Sequence, residues 1–171
     1  MPSAKPRRFT PFGNAIILLI MAALALGYLY ALHAHPIIVV GVTTALVVLA
    51  QWGHRRNIRY FTELAQARTG ESICEFARGF DTRQVDTWVI RAVYERVQQQ
   101  LGPYYPSFPV RASDRLKEDL RLDSDDADMD ILPDVISRTG RSMRDHRRNP
   151  LYGKVTTVAD LVAFFAAQPT F

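Results

Sequence analysis

Two long runs free of charge decide most of what this chain can fold into. Asn14 to Leu32 covers 19 residues and Pro36 to Trp52 another 17, with no Asp, Glu, Lys or Arg in either. A helix rises 1.5 Å per residue, so the first run is long enough for a hydrocarbon core of about 30 Å and the second sits at the short end of the range. Lipid offers no partner to a bare backbone, which leaves the helix as the form such runs take there. Only His33, Ala34 and His35 separate them. The prediction is a two-helix transmembrane hairpin with spans at about 14–32 and 36–52, and Pro36 suits a first helical turn. A cleaved signal peptide is the competing reading of an apolar run behind Arg7 and Arg8. The run exceeds the usual length of about 7–15 residues and a second span follows it, so the hairpin is preferred.

Charge divides the chain at the same place. Residues 1–59 hold six basic residues and no acid, a net of +6, while residues 60–171 hold 15 basic and 17 acidic residues, a net of −2. Lys5, Arg7 and Arg8 precede the first span, Arg55, Arg56 and Arg59 follow the second, and the turn between has no Lys or Arg. Basic residues collect on the cytoplasmic side of a span, so both termini are expected in the cytoplasm, in a membrane such as the bacterial inner membrane. The basic excess therefore serves topology, and nucleic acid is not expected as a partner. The one cysteine, Cys74, forms no internal disulfide and is expected to be a small residue on an apolar helical face.

Past the spans, residues 54–68 keep helical periodicity through Ile58, Phe61, Leu64 and Ala65, and the stretch 54–81 is expected to be an amphipathic connector. Gly70 closes its first helix. Ser72 with Glu75 gives a capping-box pattern ahead of a short helix carrying Ile73, Phe76 and Ala77. From Thr82 to Leu101 the apolar positions Val85, Trp88, Val89, Ala92, Val93 and Val97 recur at helical spacing, with Trp88 expected in the core. Gly102 stops that helix. Pro103, Pro106 and Pro109 then interleave with Tyr104, Tyr105 and Phe108, which reads as an extended aromatic loop laid over a small core.

The segment DRLKEDLRLDSDDADMDILPD, from Asp114 to Asp134, holds nine acids. Glu118, Asp119, Leu120, Asp123 and Ser124 precede a further helix, and Thr156, Thr157 and Val158 open a last one with Leu161, Val162 and Phe165 on its apolar face. This order, from the helix ending at Leu101 to Gln168, resembles an acyl carrier protein, in which a long loop leads to an E-D-L-x-x-D-S-L segment and a T-T-V segment opens the last helix. The resemblance implies an all-α carrier-like domain over 82–171. It also implies 4′-phosphopantetheine on Ser124, carrying an acyl group. Two positions depart from the family. Asp125 replaces a leucine that the modifying enzyme recognises, and Pro133 falls inside the expected second helix. Read without the family, Ser124 caps a helix whose acidic first turn favours the positive end of the dipole.

A calcium loop starting at Asp123 would need glycine at its sixth position, where Asp128 stands, so no metal is expected. Arg138, Arg141, Arg144, Arg147 and Arg148 are spaced for one helical stripe. That stripe either balances the acids of 114–134 or meets anionic lipid, with local balance preferred. No Ser/His/acid set and no zinc spacing is present, and the chain is not expected to be an enzyme. The combined expectation is an all-α, membrane-anchored, non-enzymatic interaction module that needs no cofactor. Its contact surface would comprise Asp123, Asp125, Asp126, Asp128, Tyr104, Tyr105, Arg141, Arg144 and Arg148, facing a protein partner at the cytoplasmic side of the bilayer. The alternative is a tethered working carrier modified at Ser124.

Overall fold

A computed structural model of the chain describes residues 11–123 and 131–170. Among the described residues it is all-α, with six α-helices, one short 3₁₀ turn and two isolated β-bridges. Contacts divide it into two compact units, residues 1–56 and 57–171.

In the first unit, α1 (Pro11–Ala34) and α2 (Pro36–Gln66) are joined at His35. Both are long and apolar enough to cross a membrane, and none of their apolar stretch is buried inside the protein. Leu18, Leu24, Ile37, Leu46 and Leu49 all stand exposed. Tyr28 Oη lies 3.3 Å from Thr43 Oγ1, so side chains on either side of the joint meet and the chain bends there. Thr43 also donates to Val39 O at 2.8 Å, keeping its hydroxyl satisfied within the helix.

The second unit takes up α2 from Asn57 onward. The stretch expected to be a connector is thus part of this unit's core from that point: Phe61 is fully buried, and Ala65 and Phe76 nearly so. Phe61 stacks on Tyr104 with ring centroids 5.2 Å apart and meets Phe108 edge-on at 5.5 Å. Next come α3 (Ile73–Arg78), α4 (Thr87–Leu101), α5 (Leu132–Thr139), the 3₁₀ turn His146–Arg148 and α6 (Val158–Ala166). Helix α4 is the hub, contacted by α3, α5 and α6. Its buried face is Val89, Ile90, Ala92, Val93, Val97 and Leu101, and Phe108, Ile131, Val135, Leu161 and Phe165 close the core around it.

The ends of these helices follow side-chain chemistry. Ser72 and Glu75 form the expected capping box on α3, and Thr157 and Asp160 form another on α6. Helix α4 begins five residues later than periodicity predicts. Asp81 accepts from Arg83 N in a separate turn, and Asp86 caps α4 by accepting from Trp88 N at 2.9 Å. Trp88 consequently sits in the first turn beside the buried face and is 55% exposed, not a core anchor, with the Arg91 guanidinium 5.9 Å from its ring centre. Cys74 is likewise exposed, because the apolar face of α3 runs through Ile73, Phe76 and Ala77. Pro133 stands in the first turn of α5, where its missing N–H costs nothing. Gly140 ends α5 in the left-handed conformation, φ 65°. The arginine run therefore makes no helical stripe: only Arg138 lies on α5.

Candidate functional site: a cleft beside the acidic stretch

Asp114 and its neighbours are lashed down by charge and backbone together. The Asp114 carboxylate is buried and faces the buried Arg68 guanidinium in a two-pronged pair, Nη2 to Oδ1 at 2.6 Å and Nη1 to Oδ2 at 2.8 Å. Asp114 Oδ2 also accepts from Arg111 N at 2.8 Å, and Arg68 Nη1 donates to Pro109 O at 3.0 Å. Such a pair is tolerable inside a protein because the two charges face each other in good geometry and further hydrogen bonds from Arg111 N and to Pro109 O support them, although Arg68 Nε is buried with no partner among the described residues. On the backbone, Val158 N donates to Asp114 O, Ala159 N to Ala112 O and Leu116 N to Thr156 O, so the stretch is tied to the start of α6. Leu116, Leu120 and Leu122 are buried as a result.

This anchoring leaves an open cleft of about 860 Å³. Leu116, Leu122, Leu132, Ile136, Leu161 and Phe164 supply its apolar wall, while Lys117, Glu118, Asp123, His146 and Thr156 add polar groups. A cleft of this volume, apolar with a few polar groups, has the size and chemistry of sites that take small molecules or partner side chains. His146 is held by its Nδ1, 2.8 Å from Met143 O, with Tyr152 packed against its ring at 5.3 Å.

The expected contact residues part company here. Asp123 is exposed and lines the cleft, and the turn that carries Arg148 contributes His146 to it. Ser124, Asp125, Asp126 and Asp128 lie outside the described residues. Tyr104 and Tyr105 are half-buried against Phe61 and Phe108, in the aromatic cluster and away from the cleft lining. Arg141 is a fastening inside the fold. Its side chain is 13% exposed, Nη1 donates to Ala166 O and Gln168 O at 3.2 and 2.8 Å, and Nη2 meets Asp86 at 3.3 Å. It thereby satisfies carbonyls at the end of α6 that have no partner within the helix. Arg144 and Arg148 are exposed.

The titratable groups with displaced pKa values are fastenings as well. Hydrogen bonds from Arg91 and Arg138 hold the Glu95 carboxyl below the usual range, and the bond from Arg111 does the same for Glu71. Burial pushes Asp160 up, but the bonds from Thr156 and Thr157 outweigh it and leave that carboxyl lowered. Among the described residues no group of three or more His, Cys, Asp or Glu is placed to hold a metal ion. Sequence reading missed the cleft itself, whose wall is assembled from four separate segments. Its one local sign is Met143, His146 and Tyr152 recurring around the basic run.

The fold and the cleft define an all-α unit that follows two helices long enough to cross a membrane. No protein-family model matches the chain, and no curated protein and no solved structure is similar to it.

Proposed function

We propose that this protein is a membrane-anchored, non-enzymatic interaction module. The apolar stretches of α1 and α2 hold it in the bilayer with both termini in the cytoplasm, and the second unit offers its cleft to a protein partner. The observation that carries this reading is the cleft of about 860 Å³, apolar in its wall and charged at Lys117, Glu118 and Asp123. A partner that suits it inserts a large apolar side chain flanked by polar groups, the arrangement that concentrates binding energy in a few buried contacts. A photo-crosslinking residue at Ile136, which lines the cleft, should capture a discrete protein in native membranes, and one at the exposed Gln99 should not. Equal labelling from both positions overturns the proposal.

A second reading is favoured by one observation: Asp123, the residue before Ser124, lines the cleft. If Ser124 carried 4′-phosphopantetheine, as the resemblance to acyl carrier proteins implies, the group would supply a thiol that holds an acyl chain. The cleft wall, through Leu122, Leu132 and Phe164, suits burial of an apolar chain from water. Intact mass of the protein from its native host separates the readings. A phosphopantetheine increment that Ser124→Ala abolishes establishes the carrier and overturns the cofactor-free module. No increment, with a modifying enzyme supplied, removes the carrier.

A further inference from the structure

Six arginines of the second unit have their charge answered by acids within the fold. Arg68 pairs with Asp114, Arg78 with Glu75, Arg91 with Glu95, Arg111 with Glu71, Arg138 with Glu95 and Asp134, and Arg141 with Asp86. Beyond Arg141, the loop gathers several cations that are not answered in this way. Arg144, Arg147, Arg148 and Lys154 are all exposed, and none makes an ion pair with a described residue. Asp145 is the only acid among residues 143–154, so the segment carries a net +3.

The loop is also built to hold these charges in place. Met143 and Leu151 are packed against the core, Asn149 Nδ2 donates to Phe164 O at 2.9 Å, and Leu151 N donates to Asn149 Oδ1 at 2.9 Å. A fastened loop displays its cations with little ordering left to pay when they meet a counter-charge. Tyr152, 47% exposed, stands among them. Only Trp88 is another large apolar side chain so exposed among the described residues of this unit. Exposed aromatic rings with a polar tip, set among Lys and Arg, are the composition of a membrane interface, where the ring enters the headgroup layer and the cations meet phosphate.

We infer that the loop from Arg144 to Lys154 is a docking surface for anionic phospholipid headgroups, a second membrane contact beyond the helical anchor. This rests on the membrane reading proposed above. A lipid surface is preferred over a nucleic acid because of the tether. Only nine residues lead from Trp52, the end of the second apolar run, to Phe61, the first core residue, and nine residues span at most about 32 Å. A bilayer that holds the apolar runs is therefore always within reach of this unit, at high effective concentration.

The test uses the full chain in lipid nanodiscs, either pure phosphatidylcholine or phosphatidylcholine with phosphatidylglycerol, with amide hydrogen exchange as readout. Exchange across residues 143–154 should slow several-fold in the anionic discs only. The effect should vanish at high salt, which screens surface charge, and in the triple variant Arg144→Gln, Arg147→Gln, Arg148→Gln. Unchanged exchange in α4 shows that the variant is folded. Equal exchange in both discs overturns this inference and leaves the membrane reading standing, whereas a chain that never enters discs overturns both. Protection in neutral discs by a short nucleic-acid duplex, with none from phosphatidylglycerol, replaces lipid with nucleic acid and overturns the inference too.

Discussion

Arg68 and Asp114 stand 46 positions apart and meet as a buried, doubly hydrogen-bonded pair. Asp114 could be read in the sequence as the head of an acidic stretch, but nothing local in a helix end rich in Ala, Gln and Arg names its partner. Removing one member leaves the other charge buried and unanswered, which costs about 3–5 kcal/mol. Asp114→Ala in the full chain should accordingly speed the slowest-exchanging amides of α4 by several hundredfold or more. An effect under tenfold would show that water reaches Arg68 without loss. Single aromatic residues divide in the same way. Helical spacing put Trp88 with Val89 and Val93, yet the spacing alone cannot say which edge of the apolar stripe leaves the core, and Trp88 is 55% exposed. Trp88→Ala should change stability by no more than about 0.5 kcal/mol, the usual range for a surface position. Phe108→Ala, at a fully buried ring in contact with Phe61 and Tyr105, should cost about 3–5 kcal/mol. The same exchange measurement on both variants checks the contrast.

Elements whose limits are set by neighbours in sequence were legible. Ser72 with Glu75 opens α3, Thr157 opens α6, and Gly102 marks the end of α4. Elements whose limits depend on a distant surface were not: the basic run leaves the helix at Gly140 because Arg141 is drawn to the end of α6. The α6 capping box makes a pH-dependent claim. The Asp160 carboxylate accepts from Thr156 N, Thr156 Oγ1 and Thr157 N at 2.8–3.1 Å while Thr157 Oγ1 accepts from Asp160 N, and these bonds outweigh burial and hold the carboxyl below the ordinary aspartate range. A carboxyl with a lowered folded pKa contributes stability that is fully present above its unfolded value and is lost as pH falls through the folded one. Glu95 and Glu71 act in the same direction, from a reference value of 4.5. The second unit should therefore hold its stability at neutral pH and lose it on acidification below about the ordinary carboxylate range. Thr157→Ala removes the other half of the box and should cost about 1 kcal/mol at neutral pH. Asp160→Asn should flatten the acid limb of the stability profile; a limb of unchanged slope would assign the acid loss to other carboxylates.

At the scale of the whole molecule, two units with opposite demands share one helix. α2 begins in a run of exposed Ile, Val and Leu and ends by placing Phe61 and Ala65 in a packed core. A continuous exposed apolar surface of this extent is costly in water, and on the membrane reading proposed above lipid removes that penalty. The charge pattern adds a direction to that placement: Lys5, Arg7 and Arg8 lie before the first run, Arg55, Arg56 and Arg59 after the second, and none lies at the His33 to His35 turn. On the orientation proposed above, retention of Lys and Arg on the cytoplasmic side over short flanks such as these would hold both ends to the same face. A reporter fused after Phe171 should be active in a cytoplasmic assay and silent in one that requires export. Charge, not apolar length, sets this outcome. Arg55→Gln, Arg56→Gln and Arg59→Gln combined with Ala34→Lys and His35→Lys should therefore shift part of the population to the exported signal, while the helices themselves remain in the membrane fraction. An exported signal from the unaltered chain would overturn the orientation, and a redesigned chain that keeps a purely cytoplasmic signal would show that packing of the second unit overrides the flanking charges.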